Sequence, residues 1–476
     1  MNLSDVFARL RPTTGSRLYR PTAGFTGIGL ALILAANQPA LAAKKLPDTT
    51  DGLSVEYKVN PVGIDSLQPR LTWRLQSEQR GALQTAYQIR VAETPDELWT
   101  GAGLLWDSGR IESSNSVQVV YGGPALQSGK RYHWQVRTWN ESGAVSAWSL
   151  PGYWEMGLLR PADWTAAWIT PAWEEDTAKS NPPPLLRKRF VLEGKVQSAR
   201  LYISSFGLYE AELNGRRVGD ELFTPGWTAY DKRIHYQTYD VTAQVLAGNN
   251  ALGVTLGNGW YRGPLKWDAK RNNYGDRVAV IAQLHVVYTD GRTQAIDTDE
   301  SWKASTGPIL RSELYLGEHY DARLEKSGWS LASYDDRTWS GVRVLEHTKE
   351  TLVAPLGPTV RRIEEVSPVA ILHTPAGETV VDFGQNMVGW VRLKVRGAAG
   401  TTVTLRHAEV LDKAGNFYTA NLRAATQQID YVLKGGAEEM FEPHFTFQGF
   451  RYIAVQGFPG EQIGRASCRE RVFVGV

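Results

Sequence analysis

Tyr132-His-Trp-Gln-Val-Arg-Thr-Trp139 alternates apolar and polar side chains from Tyr132 to Arg137. A period of two places successive side chains on opposite faces, which is typical of a β-strand with one buried face. Arg70-Leu-Thr-Trp-Arg-Leu75 and Tyr87-Gln-Ile-Arg-Val91 have the same alternation, and Gly, Pro, Ser and Asn separate the segments. Strands of this length and spacing predict a β-sandwich over residues 43–160.

Two further β-rich blocks follow, at residues 185–350 and 351–462. The first of them predicts a jelly-roll-like sandwich and the second a further β-sandwich. Residues 161–184 separate the first two blocks and are predicted to form a linker. The linker ends in a polar, Pro-rich run that cannot sustain a strand ladder. No stretch of twelve or more residues in these blocks has a helical stripe. The sequence therefore predicts an all-β protein of tandem sandwich domains.

The composition is that of a globular protein with an unusual aromatic content. The chain has 476 residues, 42% of them hydrophobic and 21% charged, which suits about three folded domains. The formal net charge of +2 gives no electrostatic reason to expect nucleic acid or an acidic membrane as a partner. Seventeen Trp and twenty Tyr are present. Most of them are expected in the cores, while a few exposed rings could stack on sugars.

The N-terminus has the pattern of an export signal. Basic residues at positions 9, 11, 17 and 20 precede an apolar run over residues 25–36, and Ala40-Leu41-Ala42 supplies small residues for cleavage. The apolar run is too short to span a bilayer. We predict a signal peptide over residues 1–42, cleavage after Ala42, and a mature protein in the periplasm or outside the cell. An uncleaved membrane anchor is the alternative.

Ordered motifs in these blocks resemble known families. Residues 129–140, followed by Ser146-Ala-Trp-Ser149, resemble a fibronectin type III module. The second block resembles the N-terminal β-sandwich of bacterial α-L-rhamnosidases, glycoside hydrolase family seventy-eight. The motifs that carry this second resemblance are Leu213-Asn-Gly-Arg-Arg-Val-Gly219, Pro225-Gly-Trp-Thr-Ala-Tyr-Asp-Lys-Arg233, Tyr236-Gln-Thr-Tyr-Asp-Val-Thr242, Leu256-Gly-Asn-Gly-Trp-Tyr-Arg-Gly263 and Gly317-Glu-His-Tyr-Asp-Ala-Arg323.

The third block is similar to the next domain of the same family, a concanavalin-like β-sandwich. Its motifs are Asp382-Phe-Gly-Gln-Asn-Met-Val-Gly-Trp390, Arg406-His-Ala-Glu-Val-Leu-Asp412 and Phe445-Thr-Phe-Gln-Gly-Phe-Arg-Tyr452. The resemblance implies an inverting α-L-rhamnosidase that releases terminal α-L-rhamnose from glycosides or polysaccharides. In the family the catalytic carboxylates sit in an (α/α)6 barrel, and this chain shows no pattern of one. We therefore expect a catalytically inactive N-terminal fragment, with a non-catalytic carbohydrate-binding protein as the alternative.

The candidate binding residues lie in the second block. Some family members bind sugar with the help of calcium in a β-sandwich, and oxygen ligands such as an Asn carbonyl suit that ion. Asn258 is the candidate calcium ligand, and Asn258, Trp260 and Trp227 are the candidate sugar contacts. A tight turn with a packed Trp explains the same residues without any ligand. No other cofactor is expected.

No catalytic residue is expected in the chain. Inversion needs two carboxyl groups roughly 6.5–9.5 Å apart. The pairs Glu318 with Asp321 and Asp382 with Glu409 are available by residue type. Capping of backbone N–H groups or pairing with a nearby Arg is the expected role of all four.

The C-terminal tail differs from everything before it. Ile463-Gly-Arg-Ala-Ser-Cys-Arg-Glu-Arg-Val472 has neither strand alternation nor a helical stripe, and it holds the single Cys of the chain. The decapeptide resembles the translation of a short-read sequencing adapter. We interpret residues 463–476 as an artefact and exclude Cys468 from the reasoning on redox compartment. A natural basic tail is the alternative.

Overall fold

The computed structural model describes residues 49–265 and 268–460, and within these ranges the protein is almost entirely β. The longest described helix has six residues, Pro95–Thr100, so the all-β prediction is confirmed. No helix in the described ranges is long and apolar enough to cross a membrane. The predicted signal peptide and the predicted artefact at 463–476 lie outside the described residues.

The first domain is a two-sheet sandwich, as predicted. One sheet has the order β1-β3-β7, the other has the order β2-β9-β8-β4-β5, and β6 pairs with β4. Tyr132 and Trp134 of β8 point into the core beside Trp73 and Trp154. Arg137 of β8 lies instead over the half-buried rings of Trp139 and Trp148, as the alternation predicts, whereas the polar Gln135 is fully buried. The elements are β1 (Thr49–Val55), β2 (Val62–Ile64), β3 (Arg70–Gln76), β4 (Gln84–Ala92), α1 (Pro95–Thr100), β5 (Trp106–Asp107), β6 (Ile111–Glu112), β7 (Val119–Val120), β8 (Arg131–Asn140) and β9 (Gly152–Met156).

The second domain is a larger sandwich. Its strands follow the hydrogen-bonded path β14-β13-β17-β11-β20-β23-β10-β18-β12-β16, and β19 pairs with β18. The elements of this part of the chain are β10 (Trp168–Pro171), β11 (Pro184–Leu192), β12 (Val196–Phe206), β13 (Leu208–Leu213), β14 (Arg216–Arg217), β15 (Ile234–His235), β16 (Gln237–Asp240), β17 (Gly248–Gly257), α2 (Gly259–Arg262), β18 (Ala279–Tyr288), β19 (Thr293–Asp297), β20 (Lys303–Thr306), β21 (Ile309–Glu313), β22 (Gly317–Asp321), β23 (Ser340–Leu345) and β24 (Leu352–Val353).

The predicted linker over residues 161–184 differs from the structure in its first half. Trp164, Ala166 and Trp168 are buried, and β10 pairs with β18 and β23 inside the sandwich. The two Trp side chains indicate a buried strand, whereas the polar, Pro-rich composition of the whole segment indicates a linker. The stretch from 172 to 183 lacks a strand, in agreement with its Pro-rich sequence, and residues 161–167 before β10 also lack one.

The third domain completes its sheet with a hairpin that comes earlier in the chain. The sheet order is β21-β22-β31-β28-β33-β26-β25, and β22 runs parallel to β31. The hairpin β21–β22 thus falls in the segment predicted as the second sandwich, so the predicted boundary at 350 does not separate the two domains cleanly. The elements are β25 (Ala370–His373), β26 (Thr379–Gly389), β27 (Leu393–Val395), β28 (Thr402–Ala408), β29 (Val410–Leu411), β30 (Phe417–Tyr418), β31 (Gln428–Val432), β32 (Glu439–Phe441) and β33 (Gln448–Gln456).

Gly317 makes this parallel pairing sterically feasible. Its φ is +92°, and a Cβ added there would lie 2.0 Å from the carbonyl oxygen of Gln428. Gly317→Ala should therefore lower the free energy of unfolding by about 2–3 kcal/mol, because both the backbone conformation and the contact become strained. Denaturant unfolding measures the change.

Gly341 of β23 provides the matched control, because a Cβ added there meets no atom within 4 Å. Gly341→Ala should alter the free energy of unfolding by less than about 0.5 kcal/mol. Equal effects of the two substitutions would show that the β22–β31 contact does not constrain the fold.

Candidate functional site

The predicted binding residues lie on a tight turn at the end of β17. β17 ends at Gly257, and α2 follows directly after Asn258. Gly257 packs against Phe445, since a Cβ added to it would lie 2.5 Å from the Phe445 ring. Gly259 has a φ of +53°, which permits the change of direction. The glycines on either side of Asn258 therefore serve the turn, as the alternative interpretation proposed.

Asn258 is buried and holds a carboxylate of the neighbouring hairpin. Its side-chain Nδ2 donates to Oε1 of Glu313, the last residue of β21, at 3.0 Å. Glu313 is fully buried and receives a second hydrogen bond of 2.7 Å from the Ser180 hydroxyl. The Arg271 guanidinium lies 2.8 Å from the same oxygen. Glu313 thus connects the turn, the hairpin and the Pro-rich loop.

This arrangement does not favour the predicted calcium site at Asn258. The Arg271 guanidinium already neutralises Glu313 and would repel a divalent cation beside it. Across the described ranges, no group of three or more His, Cys, Asp or Glu residues could hold a metal ion. The observed contact of the Asn258 side chain is its hydrogen bond to Glu313, and the calcium site stays a prediction.

Trp227 and Trp260 form a stacked pair that we call the Trp227 platform. The two rings are nearly parallel, at 7°, with centroids 5.8 Å apart. Trp260 is 9% exposed, whereas Trp227 is 54% exposed. The platform thus combines one buried ring with one solvent-facing ring, a geometry that suits stacking on the apolar face of a sugar.

The loop that carries Trp227 is fixed in place. The hydroxyl of buried Tyr230 donates to the Gly226 carbonyl at 2.9 Å, and Thr228 donates through its hydroxyl to the Arg233 carbonyl at 2.6 Å. Tyr230 also packs edge-on against Tyr261 and Tyr274. Because these contacts define the loop, the platform is formed before any ligand arrives.

The carboxylate pair Glu318 and Asp321 has structural partners. Glu318 is fully buried, and burial raises its pKa, although it accepts hydrogen bonds from Ser312 and from the backbone N–H of His444. Asp321 pairs with Arg323 at 2.7 Å and caps the short turn that follows. The two residues are three positions apart on one strand, so their side chains point to opposite faces.

The second pair, Asp382 and Glu409, is also engaged in structural contacts. Asp382 accepts two hydrogen bonds from Arg451, at 2.8 and 2.9 Å, and this contact lowers the pKa of Asp382. Glu409 accepts from the Asn386 side chain at 3.1 Å. The expected structural role therefore suits both pairs.

A cavity of about 440 Å³, which is not among the predicted sites, lies between the second sandwich and the hairpin side of the third sheet. Its floor carries Glu210 and Glu212 of β13, its wall is the loop 325–331, and Tyr320 and His444 close one end. Glu210 and Glu212 are two positions apart in a strand whose other side chains are buried. This pair of polar side chains on an otherwise buried strand is the sequence pattern that indicates the cavity.

Glu210 and His444 form an ion pair at the edge of this cavity. His444 Nδ1 lies 2.9 Å from Glu210 Oε2, and Arg217 lies 3.1 Å from Oε1. Burial by itself favours the neutral forms, but the two cations lower the pKa of Glu210 to about 2. The Glu210 charge likewise outweighs burial and raises the pKa of His444 to about 9.

The His444 shift predicts a loss of stability at alkaline pH. A histidine whose pKa is raised in the folded state adds its full stabilisation to the free energy of unfolding below its unfolded pKa of about 6.5. That stabilisation is lost as the pH rises through the folded pKa of about 9. Burial lowers the pKa of four other histidines, so their protonation affects stability at lower pH. These are His133, His235, His285 and His407. The denaturant midpoint should therefore fall between pH 6.5 and 9, modestly because the His444 side chain is 36% exposed.

His444→Gln tests this assignment. The variant should have a lower midpoint at pH 6 and a flatter dependence between pH 6.5 and 9 than the unmodified protein. His373→Gln is the control, since His373 is exposed at the end of β25. If the denaturant midpoint of His444→Gln falls between pH 6.5 and 9 as steeply as that of the unmodified protein, the ion pair does not have this role.

Family comparisons match the three domains in order. Residues 50–160 match the Rha78A-like N-terminal immunoglobulin domain, residues 194–364 the α-L-rhamnosidase N-terminal domain, and residues 372–473 the bacterial α-L-rhamnosidase concanavalin-like domain. Immunoglobulin and fibronectin type III domains share the two-sheet sandwich, so the predicted architecture of the first domain is confirmed. The third match extends into the segment 463–476, whose interpretation as an artefact stays a prediction.

Individual relatives agree with these matches. An α-L-rhamnosidase of Streptomyces avermitilis is 34% identical over 86% of this chain and 56% of its own length. An α-L-rhamnosidase of an Alteromonas species is 39% identical over 84% of this chain and 44% of its own length. The crystal structure of the Streptomyces avermitilis enzyme complexed with L-rhamnose superposes with a TM-score of 0.85 at 33% identity, covering 89% of this chain and 57% of that one. The chain thus spans about half the length of these relatives.

Proposed function

Because the chain belongs to the bacterial α-L-rhamnosidase family, we propose that it forms the N-terminal β domains of an exported inverting enzyme. The enzyme releases terminal α-L-rhamnose from glycosides or polysaccharides. The observation that carries this proposal is the ordered match of three successive domains over residues 50–160, 194–364 and 372–473. Export rests on the signal-peptide pattern of residues 1–42.

Hydrolysis is assigned to the part of the relatives that this chain does not span. Inversion needs a protonated carboxyl group and an ionised one, roughly 6.5–9.5 Å apart with room for a water. Glu318, Asp321, Asp382 and Glu409 all hold structural partners instead. The β domains then serve to hold the glycoside and to support the catalytic part.

The proposal predicts an exported activity from the continued gene. The reading frame, sequenced past codon 462, should encode a long helical domain. Its product should release nitrophenol from 4-nitrophenyl α-L-rhamnoside in the periplasmic or culture fraction, with a mature N-terminus at residue 43. The 476-residue chain alone is the control and should give no turnover above a buffer blank. Absence of a helical domain in frame, or turnover by the control, would contradict the assignment.

A second candidate function is non-catalytic carbohydrate binding. The Trp227 platform supports it, because an exposed indole stacked on a buried one loses little conformational freedom when a sugar covers it. The two functions are compatible, since a binding surface on the β domains would hold the polymer near the catalytic part.

Trp227→Ala tests the platform. Calorimetry with L-rhamnose should show binding to the full chain that weakens about tenfold or more in this variant, as expected for the loss of one aromatic stacking surface. The affinity should be the same in calcium and in EDTA. Trp99→Ala is the control, because Trp99 on α1 is also 54% exposed. Equal affinities for all three proteins, or no heat at all, would exclude the platform as a rhamnose site.

A further inference from the structure

We propose that the cavity beside Glu210 and Glu212 is a second carbohydrate site, which takes a neutral mono- or disaccharide without a metal ion. The site uses none of the residues of the Trp227 platform. It also does not depend on rhamnosidase activity, so the inference stands or fails separately from the proposed function. At about 440 Å³ the cavity lies in the size range of small-molecule sites.

The floor of the cavity is the outer face of the second sandwich. Glu210 of β13 pairs with Thr255 of β17, and Thr255 pairs with Leu185 of β11, so the three side chains form one row across the sheet. In the next row Glu212 stands opposite Gly253. The two rows together therefore offer two carboxylates, a hydroxyl and an apolar surface on one face.

Gly253 opens the space in which the indole of Trp329 lies. A Cβ added to Gly253 would lie 2.6 Å from the Trp329 ring. Trp329 also stacks on Trp339, with centroids 6.2 Å apart. An aromatic ring next to two carboxylates is the combination that sugars require, because their C–H faces are apolar and their hydroxyl groups donate.

The wall loop is held by a buried arginine. Arg187 is fully buried and pairs with Asp336. Its Nε donates to the Trp329 carbonyl and its Nη2 to the Leu331 carbonyl, both at 2.8 Å. The Ser330 hydroxyl donates to Glu212 Oε2 at 2.5 Å. These bonds fix the loop, so a ligand would not have to order it.

The charges in the cavity favour a neutral polar ligand. His444 and Arg217 neutralise Glu210, and Lys434 pairs with Glu325 at 2.6 Å. Glu212 lies within reach of the Arg217 charge and accepts the Ser330 hydroxyl at Oε2, and the proposed site uses its other oxygen, Oε1, as the acceptor for a ligand hydroxyl group. Lys326 adds a donor to the lining. A metal ion is disfavoured because cations already flank Glu210.

The test measures binding in the Trp227→Ala background, which removes the platform. Calorimetry uses the full chain in EDTA, with methyl α-L-rhamnopyranoside and methyl β-D-glucopyranoside as probes. At least one probe should bind. Adding Glu212→Gln should weaken that binding about tenfold or more, because a hydrogen bond to a charged acceptor is lost. The control Glu300→Gln, at an exposed position outside the cavity, should not change the affinity.

Leu331→Trp gives a second route to the same answer. Leu331 lines the cavity and is 40% exposed, so a larger side chain should block entry without disturbing a core. Loss of binding in this variant supports the site even if Glu212→Gln unfolds, which circular dichroism and thermal melting report. No heat from either probe with Trp227→Ala overturns the proposal. So does binding that neither cavity variant weakens.

Discussion

The parallel pairing of β22 with β31 is the constraint on which the functional surfaces depend. The hairpin β21–β22 leaves the second sandwich in sequence and joins the sheet of the third domain through hydrogen bonds. Its two ends serve different surfaces. Glu313 at the end of β21 receives Asn258 and so fixes the turn that carries Trp260. Tyr320 of β22 closes one end of the cavity. A displaced hairpin would therefore disturb both candidate binding surfaces at once.

The sequence predicted the elements better than their partners. The alternation in residues 132–139 identified the buried face of β8, because side-chain period is a local property of the strand. The pairing of Gly317 with Gln428 joins residues more than a hundred positions apart, and no local pattern specifies such a partner. For the same reason the predicted domain boundary at 350 does not account for the hairpin β21–β22, which belongs to the sheet of the third domain. Trp164 and Trp168 precede a polar, Pro-rich run, and that run led to the prediction of a linker for the whole segment.

The candidate site could also be predicted only in part, because residue type does not show which partner a side chain has. Asn258, Trp260 and Trp227 were identified by residue type, and the structure places Trp227 and Trp260 in one stack. Residue type could not show that the Asn258 amide is occupied by Glu313, nor that Arg271 neutralises that carboxylate. The polar stripe of Glu210 and Glu212 was visible in the sequence. Its meaning depends on Trp329 and His444, which come from distant segments.

Two buried carboxylates near the hairpin show why one of them can face a ligand. Glu318 and Glu210 both lose hydration on folding, yet their pKa values move in opposite directions. Burial dominates for Glu318 and raises its pKa, although the charge of His444 and the hydrogen bonds from a hydroxyl and backbone N–H groups act in the opposite direction. Glu210 has two cationic neighbours, His444 and Arg217, whose charges outweigh burial. Glu318 is therefore suited to joining segments, whereas Glu210 stays ionised at neutral pH, and its ion pairs with His444 and Arg217 hold a charged carboxylate at the cavity floor.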